Sequence, residues 1–191
     1  MELSEALKER RTIRRFQGKP VEFKLLGTCV EAARLAPSAR NTQELEFIAV
    51  NKPETVGELN GVVRFGGVVK EKGRIKGEEP KSFIIIVSDD LRSDEDYTKT
   101  NVGIAAGAIV LSAWEQGLGC CIMGAIDREK IEEILGTPRE YSVELAIAIG
   151  FPSENPVLEE AEDDKLGYWV EKGELHIPKR KLGKVLHKNK W

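Results

Sequence analysis

A chain of 191 residues is long enough for one full domain with a sizeable core and too short for two ordinary ones. Its 41% hydrophobic and 32% charged residues suit a globular protein, and a net charge of −3 gives no overall attraction to nucleic acid. No apolar run reaches the ~18 residues that span a bilayer, the start Met1-Glu2-Leu3-Ser4-Glu5 lacks a signal peptide's basic and apolar regions, and three cysteines with two histidines offer neither a disulfide framework nor zinc-ligand spacing. The expectation is a single cytoplasmic domain over residues 1–191, with no metal and neither nucleic acid nor membrane as a partner.

Taken in chain order, residues 3 to 10 read as a short helix with Leu3 and Leu7 on one face, followed by the basic run Arg10-Arg11-Thr12-Ile13-Arg14-Arg15-Phe16. A stronger amphipathic helix spans Phe23 to Leu35 and is stopped by Pro37. Leu45 to Asn51 has the composition of a strand, and a short helix is expected around Thr55 to Val63. The rest of the stretch to Gly77 shows no clear periodicity. Ser82 to Val87 is an unbroken apolar and β-branched run, the pattern of a strand covered on both faces. Residues 99 to 116 form a long helix lined with Gly and Ala, ending at Gly117. A short strand or extended loop follows at Cys120 to Met123. Asp127 is the N-cap expected for a helix from Arg128 to Leu135 closed by Gly136, and Val143 to Gly150 is the last central strand. The tail from Leu166 to Trp191 reads as an extended arm with no core of its own to cover.

Four segments carry possible chemistry. Arg10, Arg11 and Arg14, with the Thr12 hydroxyl between them, are able to surround a phosphate, because guanidinium groups give planar charge-assisted donors; the alternative is a solvated basic face at a helix end. Ala36 to Gln43 places Ser38, Asn41 and Gln43 in a polar loop suited to the edge of a heterocycle, or simply to a turn. In Gly117 to Ala125, glycine and alanine at the end leave main-chain amides accessible to a flat ligand, while Cys120 and Cys121 are read as buried structural residues. Lastly, Gly173 to Leu182 supplies basic residues able to complete an anion site, and His176 within it is expected to be packed or partly exposed.

In this order the four segments resemble the nitroreductase family of flavoproteins. The Arg-Arg-Thr-Ile-Arg-Arg-Phe start is similar to the family's FMN-phosphate motif, and Ala36 to Gln43 to its Ala-Pro-Ser-x-x-Asn-x-Gln loop. The Gly107-containing helix, Gly117-Leu118-Gly119, Ala148 to Pro152 and the His-x-Pro-Lys-Arg tail fall in matching positions. The resemblance implies an α+β fold, with a mixed, mainly antiparallel central sheet flanked by helices. It also implies an interlocked homodimer joined through the small-residue helix and an arm of about 166–191 that packs on the partner. FMN is the implied cofactor. Arg10, Arg11, Thr12 and Arg14, helped by Lys179 and Arg180, would hold its phosphate; Pro37, Ser38 and Asn41 would reach the ring from the other subunit; Met123, Gly124 and Ala125 would lie beside it. The implied activity is ping-pong transfer of electrons from NADH or NADPH through the flavin to a small electron-poor acceptor such as a nitroaromatic or quinone. Other readings are a non-catalytic flavin- or nucleotide-binding module, a specialised activity such as dehalogenation or flavin fragmentation, and a structural dimeric domain with surface arginines. The sequence departs from the family pattern at Glu44 and Leu45, where many members have Pro-Trp, and between Asn60 and Glu79, where no alignment holds.

Overall fold

The computed structural model describes residues 2–65, 76–94, 96–163 and 165–191. Along the chain lie α1 (Leu3–Glu9), α2 (Phe23–Arg34), β1 (Leu45–Val50), α3 (Pro53–Val62), β2 (Ser82–Asp89), α4 (Thr98–Glu115) and β3 (Gly119–Met123). They are followed by α5 (Arg128–Leu135), β4 (Tyr141–Gly150), β5 (Val157–Glu160), β6 (Trp169–Glu171) and β7 (Glu174–Lys179). Most expected elements are present within one or two residues of their predicted ends. α5 matches at both, because its caps are local chemistry: Asp127 accepts a hydrogen bond from the Lys130 amide at 3.3 Å, and Gly136 takes the left-handed conformation at φ 65°. Much of the unplaced stretch before Gly77, residues 66–75, lies outside the described residues.

Strands β1 to β4 form one sheet in the order β1-β2-β4-β3, and each neighbouring pair is antiparallel. A parallel bridge between Thr12 and Cys120 adds the arginine segment outside β3, so the pairing is mixed and mainly antiparallel. Side chains alternate across the sheet. Ile84 and Ile86 of β2, with Ile147 and Ile149 of β4, pack beneath α2 and α4. Phe83, Ile85 and Val87, with Ala146 and Ala148, face Val56 and Leu59 of α3 and Ile131 of α5. Both faces are therefore covered, which is why β2 is buried along its whole length and reads as a continuous apolar run.

Helix α4 meets α2 through Ala105, Ala106, Ile109 and Ala113. Its other side carries Gly103, Gly107 and the exposed Ile104, and a side chain added at either glycine would meet nothing within 4 Å. The stretch read as an extended arm contributes β6 and β7 to a three-stranded sheet, β5-β7-β6, in which β5 and β7 run parallel. Leu175 is buried there, and the Trp169 ring stacks on His176 with centroids 5.1 Å apart. Trp169 and His176 are directly opposed across β6 and β7, so this aromatic pair stacks within the tail's sheet. The end beyond β7 is exposed throughout, with a 3₁₀ turn at Leu182–Lys184.

Candidate cofactor site

The arginine segment is anchored by its apolar residues. Ile13 and Phe16 are fully buried, and each lies against a glycine of the sheet. A Cβ at Gly119 would approach Ile13 to 2.5 Å and one at Gly150 would approach Phe16 to 2.8 Å, so only glycine lets the segment lie this close. The main chain is fixed as well. Ile13 donates to the Cys120 carbonyl at 2.9 Å, Gln17 to Phe151 at 2.8 Å, and the amides of Arg14 and Arg15 both donate to one carboxylate oxygen of Glu154, at 2.6 and 3.1 Å. With Ile13 turned inward, Thr12 and Arg14 on either side of it are left half-buried at the rim, near Arg10. The Arg14 guanidinium lies 5.7 Å from the centre of the Tyr168 ring, which brings the tail against this segment.

Arg11 is placed differently from Arg10 and Arg14. Its side chain is 6% exposed, and its guanidinium donates to the main-chain carbonyls of Lys8 and Arg10. Burial, with the charge of Arg10 adding to it, lowers its pKa. It caps the end of α1, where the last carbonyls lack helical partners.

At the far end of β3, Met123 is buried in the core, while Gly124 and Ala125 are exposed. The latter pair border a cavity of about 620 Å³, together with Gly61, Val62, Arg64 and the start of α5. This turn is held by Arg64, whose amide donates to the Ala125 carbonyl at 3.0 Å, and by the Asp127 amide, which donates to Val62 at 3.0 Å. Met123 thus supports the site from beneath rather than lining the cavity.

The polar loop is built differently. Pro37 and Ser38 border a small cavity of about 140 Å³ with Gln43, Glu44 and Asn101. Arg40, Asn41 and Gln43 all adopt left-handed backbone angles, with φ of 53°, 55° and 49°. The Ser38 hydroxyl accepts from the Gln43 amide at 3.2 Å, and Asn41 is exposed. Glu44 and Asn101 lie buried behind the loop; neither was among the expected site residues. The signals were present, as an acid where family members have proline and as an amide within a helix of small apolar residues.

The remaining candidates sort simply. Burial pushes the Cys121 thiol up to about 11 and raises that of Cys120 as well, so neither is a thiolate nucleophile. His176 is packed under Trp169 and its Nδ1 lies 2.8 Å from Glu159. Lys179 is exposed at the end of β7, and Arg180 reaches the Lys184 carbonyl at 3.2 Å. No group of His, Cys, Asp and Glu among the described residues is arranged to hold a metal ion, and no described helix is long and apolar enough to cross a membrane.

The segments fall into two halves. The arginine segment and the Gly124–Ala125 turn share the β3 edge of the sheet. The polar loop leads into β1, the opposite edge, three strand spacings or roughly 14 Å away.

A family model described as the nitroreductase family matches residues 7–81 and 79–151. A protein of Methanothermobacter thermautotrophicus whose name couples NADH dehydrogenase with NAD(P)H nitroreductase is 29% identical over 160 residues, covering 82% of this chain and 80% of its own. An iodotyrosine deiodinase of Thermotoga neapolitana is 24% identical, covering 80% and 89%. The solved structure of an FMN-dependent nitroreductase from Clostridium difficile superposes with a TM-score of 0.67 at 29% identity, over 97% of this chain and 98% of that one. With its two helical layers, its arginine segment on the β3 edge and a family match across most of its length, the chain belongs to the nitroreductase family.

Proposed function

We propose that the protein is an FMN-dependent oxidoreductase that passes electrons from NADH or NADPH to an electron-poor acceptor such as a nitroaromatic or quinone, and that it works as a homodimer. The observation that carries this reading is the division of the candidate site between opposite edges of one sheet. Gly124 and Ala125 border a cavity beside α3 and α5, while Ser38 borders one beside α2 and α4 across the sheet, a separation that supports completion of the site by a second copy. The open glycine-lined side of α4 and the exposed tail end supply surfaces for that copy.

The donor set suits the cofactor. Arg10 and Arg14 offer charge-assisted donors and Thr12 a hydroxyl, the groups that a phosphate monoester needs, with Lys179 and Arg180 adding charge from the tail. Gly124 leaves open space where a flat ring would lie. Bound FMN supplies the two-electron relay between nicotinamide and acceptor. The chain's part is to bind, orient and polarise: main-chain amides at Gly124 and Ala125 would donate to a ring system that gains negative charge on reduction, and Ser38 and Asn41 would fix its polar edge. No side chain is assigned as acid or base.

An absorbance spectrum with added FMN, followed by NADH or NADPH under anaerobic conditions, tests the reading. Bound flavin that loses its visible absorption supports the oxidoreductase. Flavin that binds but stays oxidised would instead favour a non-catalytic module, and absence of binding would overturn the assignment.

A further inference from the structure

Resting on that FMN reading, we infer that Glu44 is a positioning residue for the flavin: through Asn101 and Thr42, its buried carboxylate fixes the loop that carries Ser38 and Asn41. Glu44 is 1% exposed, and an unpaired carboxylate at such depth is strongly disfavoured. It has three partners. Asn101 Nδ2 donates to one oxygen at 2.7 Å, the Thr42 hydroxyl donates to the other, and the residue's own amide contributes a third bond. Burial raises the carboxyl's pKa, but these bonds outweigh it and hold the group below its ordinary range, so it is ionised at neutral pH.

Asn101 transmits the constraint to the loop. Its Oδ1 accepts from the Ala39 amide at 2.9 Å while its Nδ2 serves Glu44, so each end of the amide has the partner its chemistry requires. Between Ser38 and Glu44, three non-glycine residues sit in the left-handed region, a conformation that persists only when the surroundings enforce it. The enforcement comes from two sides. Inside are Glu44, Asn101 and Thr42; outside, Arg40 pairs with Asp94 at 3.1 Å and lies over the Tyr97 ring at 5.3 Å. Asp94, Tyr97 and Asn101 all belong to α4 or the turn before it, so the loop is clamped to the start of that helix. Glu44 itself lies behind the loop and acts only through it.

The test is fluorescence titration of the full-length protein with FMN and with riboflavin, which lacks the phosphate. Glu44→Ala is expected to weaken both flavins by the same factor, about tenfold, the scale of a lost charged hydrogen bond. Arg14→Ala should weaken FMN alone, which separates ring placement from phosphate binding. Glu44→Gln should lose less than Glu44→Ala. Asn101→Asp, which sets two carboxylates against each other, should lose as much as Glu44→Ala. The double variant Glu44→Gln with Asn101→Asp should recover binding, because the introduced amide donates to the introduced carboxylate. Unchanged affinity for both flavins in a folded Glu44→Ala protein, or a loss confined to FMN, overturns the inference alone. Wild-type protein that binds neither flavin overturns the FMN reading and this inference with it. Should Glu44→Ala fail to fold, the double variant decides: no recovery over Asn101→Asp overturns the proposal.

Discussion

Residues 10–16, on the β3 edge, are pressed onto the sheet by Ile13 and Phe16, which fill the space that Gly119 and Gly150 leave. Residues 38–44, on the β1 edge, have no such plug and are held by a buried carboxylate, an amide and a hydroxyl. The first segment places charged groups at its rim by an in-and-out alternation that any apolar core supports. The second enforces unusual backbone angles, which requires directional bonds. Apolar contact is proportional to area and tolerant of small shifts, whereas a hydrogen-bonded network depends on each partner and fails piecewise. The two halves of one site therefore differ in what breaks them.

The largest effect should come from the apolar anchor. Phe16→Ala removes a fully buried ring and is expected to lower stability by about 3–5 kcal/mol in denaturant unfolding. A loss below about 1 kcal/mol would mean that the main-chain bonds, not the ring, hold the arginine segment. Next, Arg14→Ala should weaken FMN binding by about 1–3 kcal/mol, the scale of a charge-assisted hydrogen bond, and leave stability nearly unchanged. Equal affinity would remove Arg14 from the phosphate site. Smaller still is Arg11→Ala, which should cost about 1 kcal/mol of stability through the lost bonds to Lys8 and Arg10, with FMN affinity intact. A selective loss of FMN in that variant would restore Arg11 to the phosphate site.

This contrast also sets what was legible in the sequence. Strand β2 and helix α5 follow from local pattern and composition, because burial of an apolar run and local caps need no knowledge of the partner, whereas the anchoring role of Ile13 and Phe16 within a basic run came only from the structure. The Arg-Arg-Thr-Ile-Arg segment was legible as a cluster of charge, and its expected role came from the resemblance. The contacts of Arg11 were not legible, since they depend on which carbonyls the end of α1 turns toward. Glu44 stood out as a departure from the family pattern, but its function lies in a bond to Asn101, 57 positions away, which no periodicity reports. The tail sheet was missed only partly on similar grounds: β5 and β7 pair in parallel with β6 between them in sequence, which leaves no turn signature, whereas the β6–β7 hairpin turns at Lys172-Gly173, a signal that was present.

Acid provides the finest probe of the difference between the halves. The Glu44 carboxyl titrates below its ordinary value of about 4.3, so the stability it contributes is complete above that value and is lost as pH falls through the lower, folded-state value. Glu44→Gln has no such titration. Thermal unfolding of the two proteins from about pH 7 to pH 3 should show a constant difference near neutrality that narrows once the pH passes below about 4. Titrations elsewhere in the chain are common to both proteins and cancel in that difference. A gap that widened in acid would mean that burial outweighs the three hydrogen bonds and raises the carboxyl's pKa. The same comparison between wild type and Phe16→Ala should stay flat across the range, since the ring and its glycine contact carry no proton. The carboxylate network would then respond to acid and the apolar ring contact would not.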